Sequence, residues 1–177
     1  MRVWLVRHAS TTAVPGITIG AGDPPLSEEG RAQARRLAAS LGERPLSRIW
    51  ASDLTRAVET AVIIAAPHRL SVQTTPALRE LDFGMWEGRA LSELWRDDRD
   101  AALAWEADIT DTPATFGESV RQLEVRVREF WSRVELAAEV ACVAHRGSLA
   151  CLQSVITGQP FAECFRSSAP WVETFPR

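Results

Sequence analysis

Two short apolar runs, each closed by a basic pair, constrain this chain more than any other feature in it. Val3-Trp4-Leu5-Val6 ends at Arg7-His8, and Val140-Ala141-Cys142-Val143-Ala144 ends at His145-Arg146. Uninterrupted β-forming runs of this length suit strands covered on both faces, as at the centre of a parallel sheet. Residues 47–51 and 70–75 read as further strands, and Trp171 to Phe175 as one more at an edge.

Helical patterns fall between these runs. Ser27 precedes Glu28-Glu29-Gly30, and Ala34, Leu37, Ala38 and Leu41 follow at helical spacing up to Gly42. Ser52-Asp53 is placed to cap a helix running to about Ala65, before Pro67. Residues 88–105 are helix-prone, with Leu91, Leu94, Trp95 and Leu103. Leu123, Val127, Phe130, Trp131 and Val134 mark one face of an amphipathic helix over 118–134. A last apolar helix spans 149–156. The alternation predicts a three-layer α/β/α sandwich with a mostly parallel central sheet, as a single domain over 1–177 with a small insert at about 88–117.

Parallel sheets bind ligands beyond the carboxyl ends of their strands, where both His8 and His145 are expected. The third histidine, His68, lies in a Pro67-His68-Arg69 turn and is expected to be solvated. Arg56 sits in the first turn of the helix after Ser52-Asp53, near the same edge; its plain alternative is a surface ion pair with Glu59 or Asp53. If His8, His145, Arg7 and Arg56 converge, the forked guanidinium donors match phosphate oxygens. A neighbouring imidazole held neutral by like-charge repulsion would be nucleophilic. That is a phosphoryl pocket, and a histidine nucleophile requires no metal.

Composition removes other chemistries. All 20 basic side chains counted as Lys+Arg are arginine, and there is no tyrosine. Lysine Schiff-base and tyrosine mechanisms are therefore closed. A net charge of -3 gives no general basic surface for nucleic acid or anionic membrane. Cys142, Cys151 and Cys164 have neither zinc-site spacing nor the even count of a disulfide framework, which makes a reducing cytoplasm the default expectation. No apolar run has the length of a signal core or of a membrane span.

In order along the chain, Arg7-His8-Ala9-Ser10-Thr11, Leu26-Ser27-Glu28-Glu29-Gly30, Ser52-Asp53-Leu54-Thr55-Arg56-Ala57 and His145-Arg146-Gly147 resemble the successive motifs of the histidine phosphatase superfamily, the phosphoglycerate mutase-like fold. The resemblance implies His8 as the phosphorylated nucleophile and Arg7, Arg56 and His145 as the phosphate grip, with Thr11 beside them. It also implies Glu80 as proton donor, with Asp82 in reserve; Glu87 reads as a carboxylate at a helix start, favoured there by the dipole. Three departures stand out. Ala9 replaces a usual glycine, Val14 stands where many members carry asparagine, and one glycine rather than two precedes Glu118-Ser119. The first two imply a weaker grip on phosphate.

The short insert resembles the smaller phosphatases of the family rather than the mutases. Phe83-Gly84-Met85-Trp86-Glu87, Trp105, Pro113 and Gly117-Glu118 look like the α-ribazole phosphatase branch. Trp95 and Trp105 offer an aromatic wall for a heterocycle or sugar, and Arg89 or Arg146 polarity at its mouth. Trp95, at helical spacing from Leu91, has packing of the insert as its simpler role. A small phosphorylated metabolite is the expected partner, with no cofactor, nucleic acid or membrane, and with a monomer or homodimer as assembly. A phosphoryl-transfer mutase and a noncatalytic phosphate binder remain the alternatives; the second has no use for a nucleophile paired with an acid.

Overall fold

The computed structural model describes residues 2–135, 139–167 and 172–176. Its strands are β1 (Arg2–Arg7), β2 (Leu46–Ser52), β3 (Val72–Thr75), β4 (Glu139–Ala144) and β5 (Val172–Pro176). Its helices are α1 (Glu28–Leu41), α2 (Thr55–Ala65), α3 (Leu91–Asp97), α4 (Arg99–Ala107), α5 (Val120–Arg133), α6 (Arg146–Thr157) and α7 (Phe161–Ser167). One sheet carries all five strands in the order β3-β2-β4-β1-β5. The pairs β1/β4, β2/β4 and β2/β3 are parallel, and β5 runs antiparallel to β1 at the edge.

Period-two side-chain alternation splits the sheet's apolar residues between two layers. Val3, Leu5, Val140 and Cys142 pack with Leu123, Val127, Phe130 and Trp131 of α5 and Leu149 and Leu152 of α6. Trp4, Val6, Ile49, Ala51, Ala141 and Val143 pack on the other face with Ala38 and Leu41 of α1 and Ala61 and Ile64 of α2. The three-layer architecture follows from that division. Burial of a leucine or valine side chain contributes about 1.5–3 kcal/mol, and β1 and β4 are covered from both sides.

Several local expectations shift. Ser27 does cap α1, its side chain accepting from Gly30 N. Neither Ser52 nor Asp53 caps α2. Asp23 does so from the loop between β1 and α1, its Oδ1 accepting from Thr55 N at 2.7 Å, while Asp53 is held by Arg79. The pattern over 88–105 becomes two helices that meet at Asp98. Helix α6 starts at Arg146, three residues before its apolar run, and α7 had no counterpart in the sequence pattern. Of the expected edge strand, Trp171 lies outside the described residues. His68 is half-buried, with Nε2 enclosed and without a hydrogen-bond partner, rather than solvated. Among the described residues no helix is long and apolar enough to cross a membrane.

Candidate active site

The register of the central strands builds the site. Arg7 lies opposite Ala144, so the residues that follow, His8 and His145, emerge side by side at the carboxyl edge. His8 N still donates to Ala144 O at 2.9 Å, and the two imidazole centroids lie 5.0 Å apart with planes tilted by 57°. Because α2 and α6 begin directly after β2 and β4, Arg56 and Gly147 reach the same edge.

His8 Nδ1 lies 2.8 Å from Ala9 O. A carbonyl only accepts, so Nδ1 carries the proton and Nε2 keeps its lone pair. The pKa of His8 is pushed down to about 4, chiefly by burial, with Arg56 and Arg7 adding to it against the Ala9 hydrogen bond. Repulsion between like charges is thus a secondary cause of neutrality, not the main one. His145 is fully buried, and burial is again the leading cause of its pKa falling well below the ordinary value, followed by His8 and Arg56. Both of its ring nitrogens are enclosed and unpartnered. Buried polar atoms in this state are costly; the residue is placed at the site by its ring contact with His8 and does not itself line the cavity described below.

Arg56 pairs with neither Glu59 nor Asp53; its only ion-pair contact among the described residues is a distant one, with Asp23 at 3.9 Å. It is 1% exposed, and its Nη1 and Nη2 donate to Gly22 O and Gly20 O at 2.5 and 2.8 Å. Two of its five N–H donors are thereby spent and three remain. Glu59 pairs with Arg31 instead. Glu87 is not a helix-start carboxylate either: it accepts from the backbone N–H groups of Gly20, Ala21, Gly22 and Phe83. The loop at 20–22 is therefore held through its amides by Glu87 and through its carbonyls by Arg56.

Glu80 enters from the third side. Its Oε1 and Oε2 lie 3.0 and 3.1 Å from Gly147 N, in the first turn of α6, and Oε1 also accepts from Leu81 N. Asp82 serves its own turn, accepting from Gly84 N. Arg7, His8, Thr11, Val14, Arg56 and Glu80 line a common cavity of about 380 Å³. Thr11 is half-buried, with Oγ1 accepting from Ala13 N. Ala9 buries its methyl against Leu26 and Ala34 and donates its N–H to Thr60 Oγ1. At the place of the missing glycine, Phe116 takes a left-handed φ of 58° and is exposed.

A second cavity of about 570 Å³ shares Arg7, Ile17, Ile19 and Glu80 with the first and adds Trp95, Trp105, Phe161 and Phe165. Trp105 is half-buried with its edge on Trp86, at 5.6 Å between centroids, and Trp95 is partly exposed. Arg146 lies in this lining with its guanidinium 4.1 Å over Phe165. Arg89 is tied to Asp97 instead. The three cysteines are buried, and burial pushes the Cys142 thiol up to about 12.

This α/β sheet thus presents, at its carboxyl edge, a neutral imidazole, two guanidinium groups and a carboxylate around a hole large enough for a phosphoryl group. The chain belongs to the histidine phosphatase superfamily, branch 1, which it matches over residues 3–170, and it is a phosphatase. It is 34% identical over 166 residues to the adenosylcobalamin/alpha-ribazole phosphatase of Salmonella typhimurium, covering 92% of this chain and 82% of that one. It is also 34% identical over 173 residues to the glucosyl-3-phosphoglycerate phosphatase of Mycobacterium tuberculosis, covering 91% and 77%. The alpha-ribazole phosphatase of Shigella flexneri superposes with a TM-score of 0.86 at 31% identity, over 94% of this chain and 84% of that one.

The sequence alone does not assign four residues the parts they play here: Glu87 reads as a helix-start carboxylate, Arg126 and Glu118 bind mainly backbone or one another, and Phe165 lies on α7, which has no sequence counterpart. The one available signal was the glycine pair Gly20 and Gly22, whose bare amides suit a carboxylate.

Proposed function

We propose that this phosphatase hydrolyses phosphomonoesters through a phosphohistidine at His8, and that its substrate is α-ribazole 5′-phosphate. Arg7, Arg56 and His145 hold the phosphoryl oxygens, and Thr11 borders them. Nε2 of His8 attacks phosphorus in line, and the bond from phosphorus to the bridging oxygen breaks as the Glu80 carboxyl gives that oxygen its proton. Water then attacks the phosphohistidine, returns a proton to Glu80 and releases orthophosphate, leaving His8 neutral again. The observation that carries this reading is the unprotonated Nε2 of His8, set by the Nδ1 contact with Ala9 O, on a ring that lies beside His145 and within the charge influence of Arg56 and Arg7.

The finer reading rests on the aromatic cavity that continues from the phosphate pocket past Trp105 and Trp95. Its walls suit a flat, apolar heterocycle carried on a sugar phosphate. Purified protein assayed for phosphate release from α-ribazole 5′-phosphate, glucosyl-3-phosphoglycerate and 3-phosphoglycerate tests it directly. The expected result is the highest kcat/KM on the first, unaffected by EDTA, blocked by vanadate and lowered by about 10³-fold or more in His8→Ala. Preference for another ester overturns the substrate. Loss of activity in EDTA, or isomerisation of the substrate without phosphate release, overturns the mechanism.

A further inference from the structure

We propose that Arg126, on α5, is a positioning residue that holds Glu80 at the phosphate pocket, and that Glu118 in turn holds Arg126. This rests on the reading of Glu80 as the proton donor.

The guanidinium of Arg126 spends all of its donors on one short stretch of chain and one carboxylate. Nη1 donates to Ala77 O at 2.8 Å and to Arg79 O at 2.9 Å, and Nη2 donates to Glu80 O at 3.0 Å. Nε and the second Nη2 hydrogen go to the two oxygens of Glu118, each at 2.7 Å. A guanidinium has five N–H donors, and here none is left for a ligand. Arg126 is therefore no part of the phosphate grip.

What it binds is a segment with little support of its own. Leu78 closes a 3-10 turn, and Arg79 to Asp82 continue in neither helix nor strand. Three carbonyls of such a stretch would otherwise depend on water. Arg126 gathers them and so ties the backbone of Glu80 to α5, a helix whose adjoining face is buried in the core through Leu123 and Val127. At its other end, the Glu80 carboxylate is tied to Gly147 N of α6. Glu80 is thus fixed at the main chain by one helix and at the carboxylate by another.

Glu80 also has somewhere to go if the first tie is cut. Besides the phosphate cavity it borders a polar cavity of about 360 Å³ that Arg79, Asp82, Glu118, Gln122 and Arg126 share. A donor displaced by a single ångström no longer meets the leaving oxygen in the transition state.

The test uses leaving groups of different basicity. A nitrophenolate departs without help, whereas an alkoxide requires a proton, and kcat/KM reports events only through phosphorylation of His8. Arg126→Gln, Arg126→Lys, Glu118→Gln and Glu80→Gln are compared on p-nitrophenyl phosphate and β-glycerophosphate. Arg126→Gln is expected to lower kcat/KM for β-glycerophosphate by about 10²-fold, and for p-nitrophenyl phosphate by roughly tenfold less than that. Arg126→Lys recovers part of the difference, and Glu118→Gln shifts the ratio in the same direction as Arg126→Gln. Should Arg126→Gln fail to fold, the ratio in Glu118→Gln, which leaves the guanidinium in place, decides the matter. Equal losses on both esters alongside a selective Glu80→Gln overturn the role of Arg126. An unselective Glu80→Gln overturns the donor assignment itself.

Discussion

At Gly147 a hydrogen atom stands where any other residue would put a methyl group. A Cβ there would lie 2.4 Å from Glu80 Oε1 and 3.5 Å from Leu123 Cδ2. Gly147→Ala therefore pushes the carboxylate off its amide partner. We expect kcat to fall by about 10²-fold, while the thermal midpoint changes little, because the displaced atom ends a flexible side chain; a steady-state assay beside a melting curve checks this. Individual residues were legible in the sequence where their place follows from strand ends. His8 and His145 each close an apolar run, and a parallel register brings such ends together. Arg56 was legible as a cation but not as a buried one, because its partners are the carbonyls of Gly20 and Gly22, more than thirty positions away. Arg126 was not legible at all: carbonyls carry no side-chain signature.

The elements show the same boundary between local and distant causes. Ser27 and α1 read correctly because the cap lies in the sequence directly before its helix. The cap of α2 did not, since Asp23 reaches it from across the loop and binds both Thr55 N and Thr55 Oγ1 at 2.7 Å. Asp23→Ala is expected to cost about 1 kcal/mol of stability, read as a lower urea midpoint at unchanged slope, whereas Asp53→Ala removes an exposed ion pair with Arg79 and costs less. The start of α6 was placed late because its first turn is Arg146-Gly147-Ser148, which has no apolar period, although Ser148 Oγ accepts from His145 N and closes that turn. The break at Asp98 was hidden by leucines and tryptophans that keep helical spacing through it; there Asp98 Oδ2 accepts from Trp86 Nε1.

For the molecule as a whole, two neutral histidines, one buried and one half-buried, set how stability responds to acid. The pKa of His8 is about 4 in the folded chain against an ordinary 6.5, and that of His145 lies well below 6.5. Between those values the unfolded chain binds more protons, so stability rises with pH there, each histidine giving a slope of up to about 1.4 kcal/mol per pH unit. Asp53 and Asp111, held low by Arg79 and Arg121, act only further down, below the ordinary carboxylate range. Urea unfolding between about pH 7 and 4.5 should show falling stability, and His8→Gln should flatten the curve; a flat curve in the unmutated protein would mean that the imidazoles titrate normally. The layers and the parallel character of the sheet were legible from the alternation of apolar runs. The strand order was not, because nothing local to β1 says that its neighbours are β4 and β5. That placement also governs how the enzyme comes into being on the ribosome. The segment bearing His8 leaves the exit tunnel well before β4 and β5, the two strands that flank it, more than 130 residues further along the chain. It stays open, with Val3, Leu5 and Val6 uncovered, until those strands have been made, and a nascent chain arrested before Glu139 would be unable to turn over substrate and prone to being captured by chaperones.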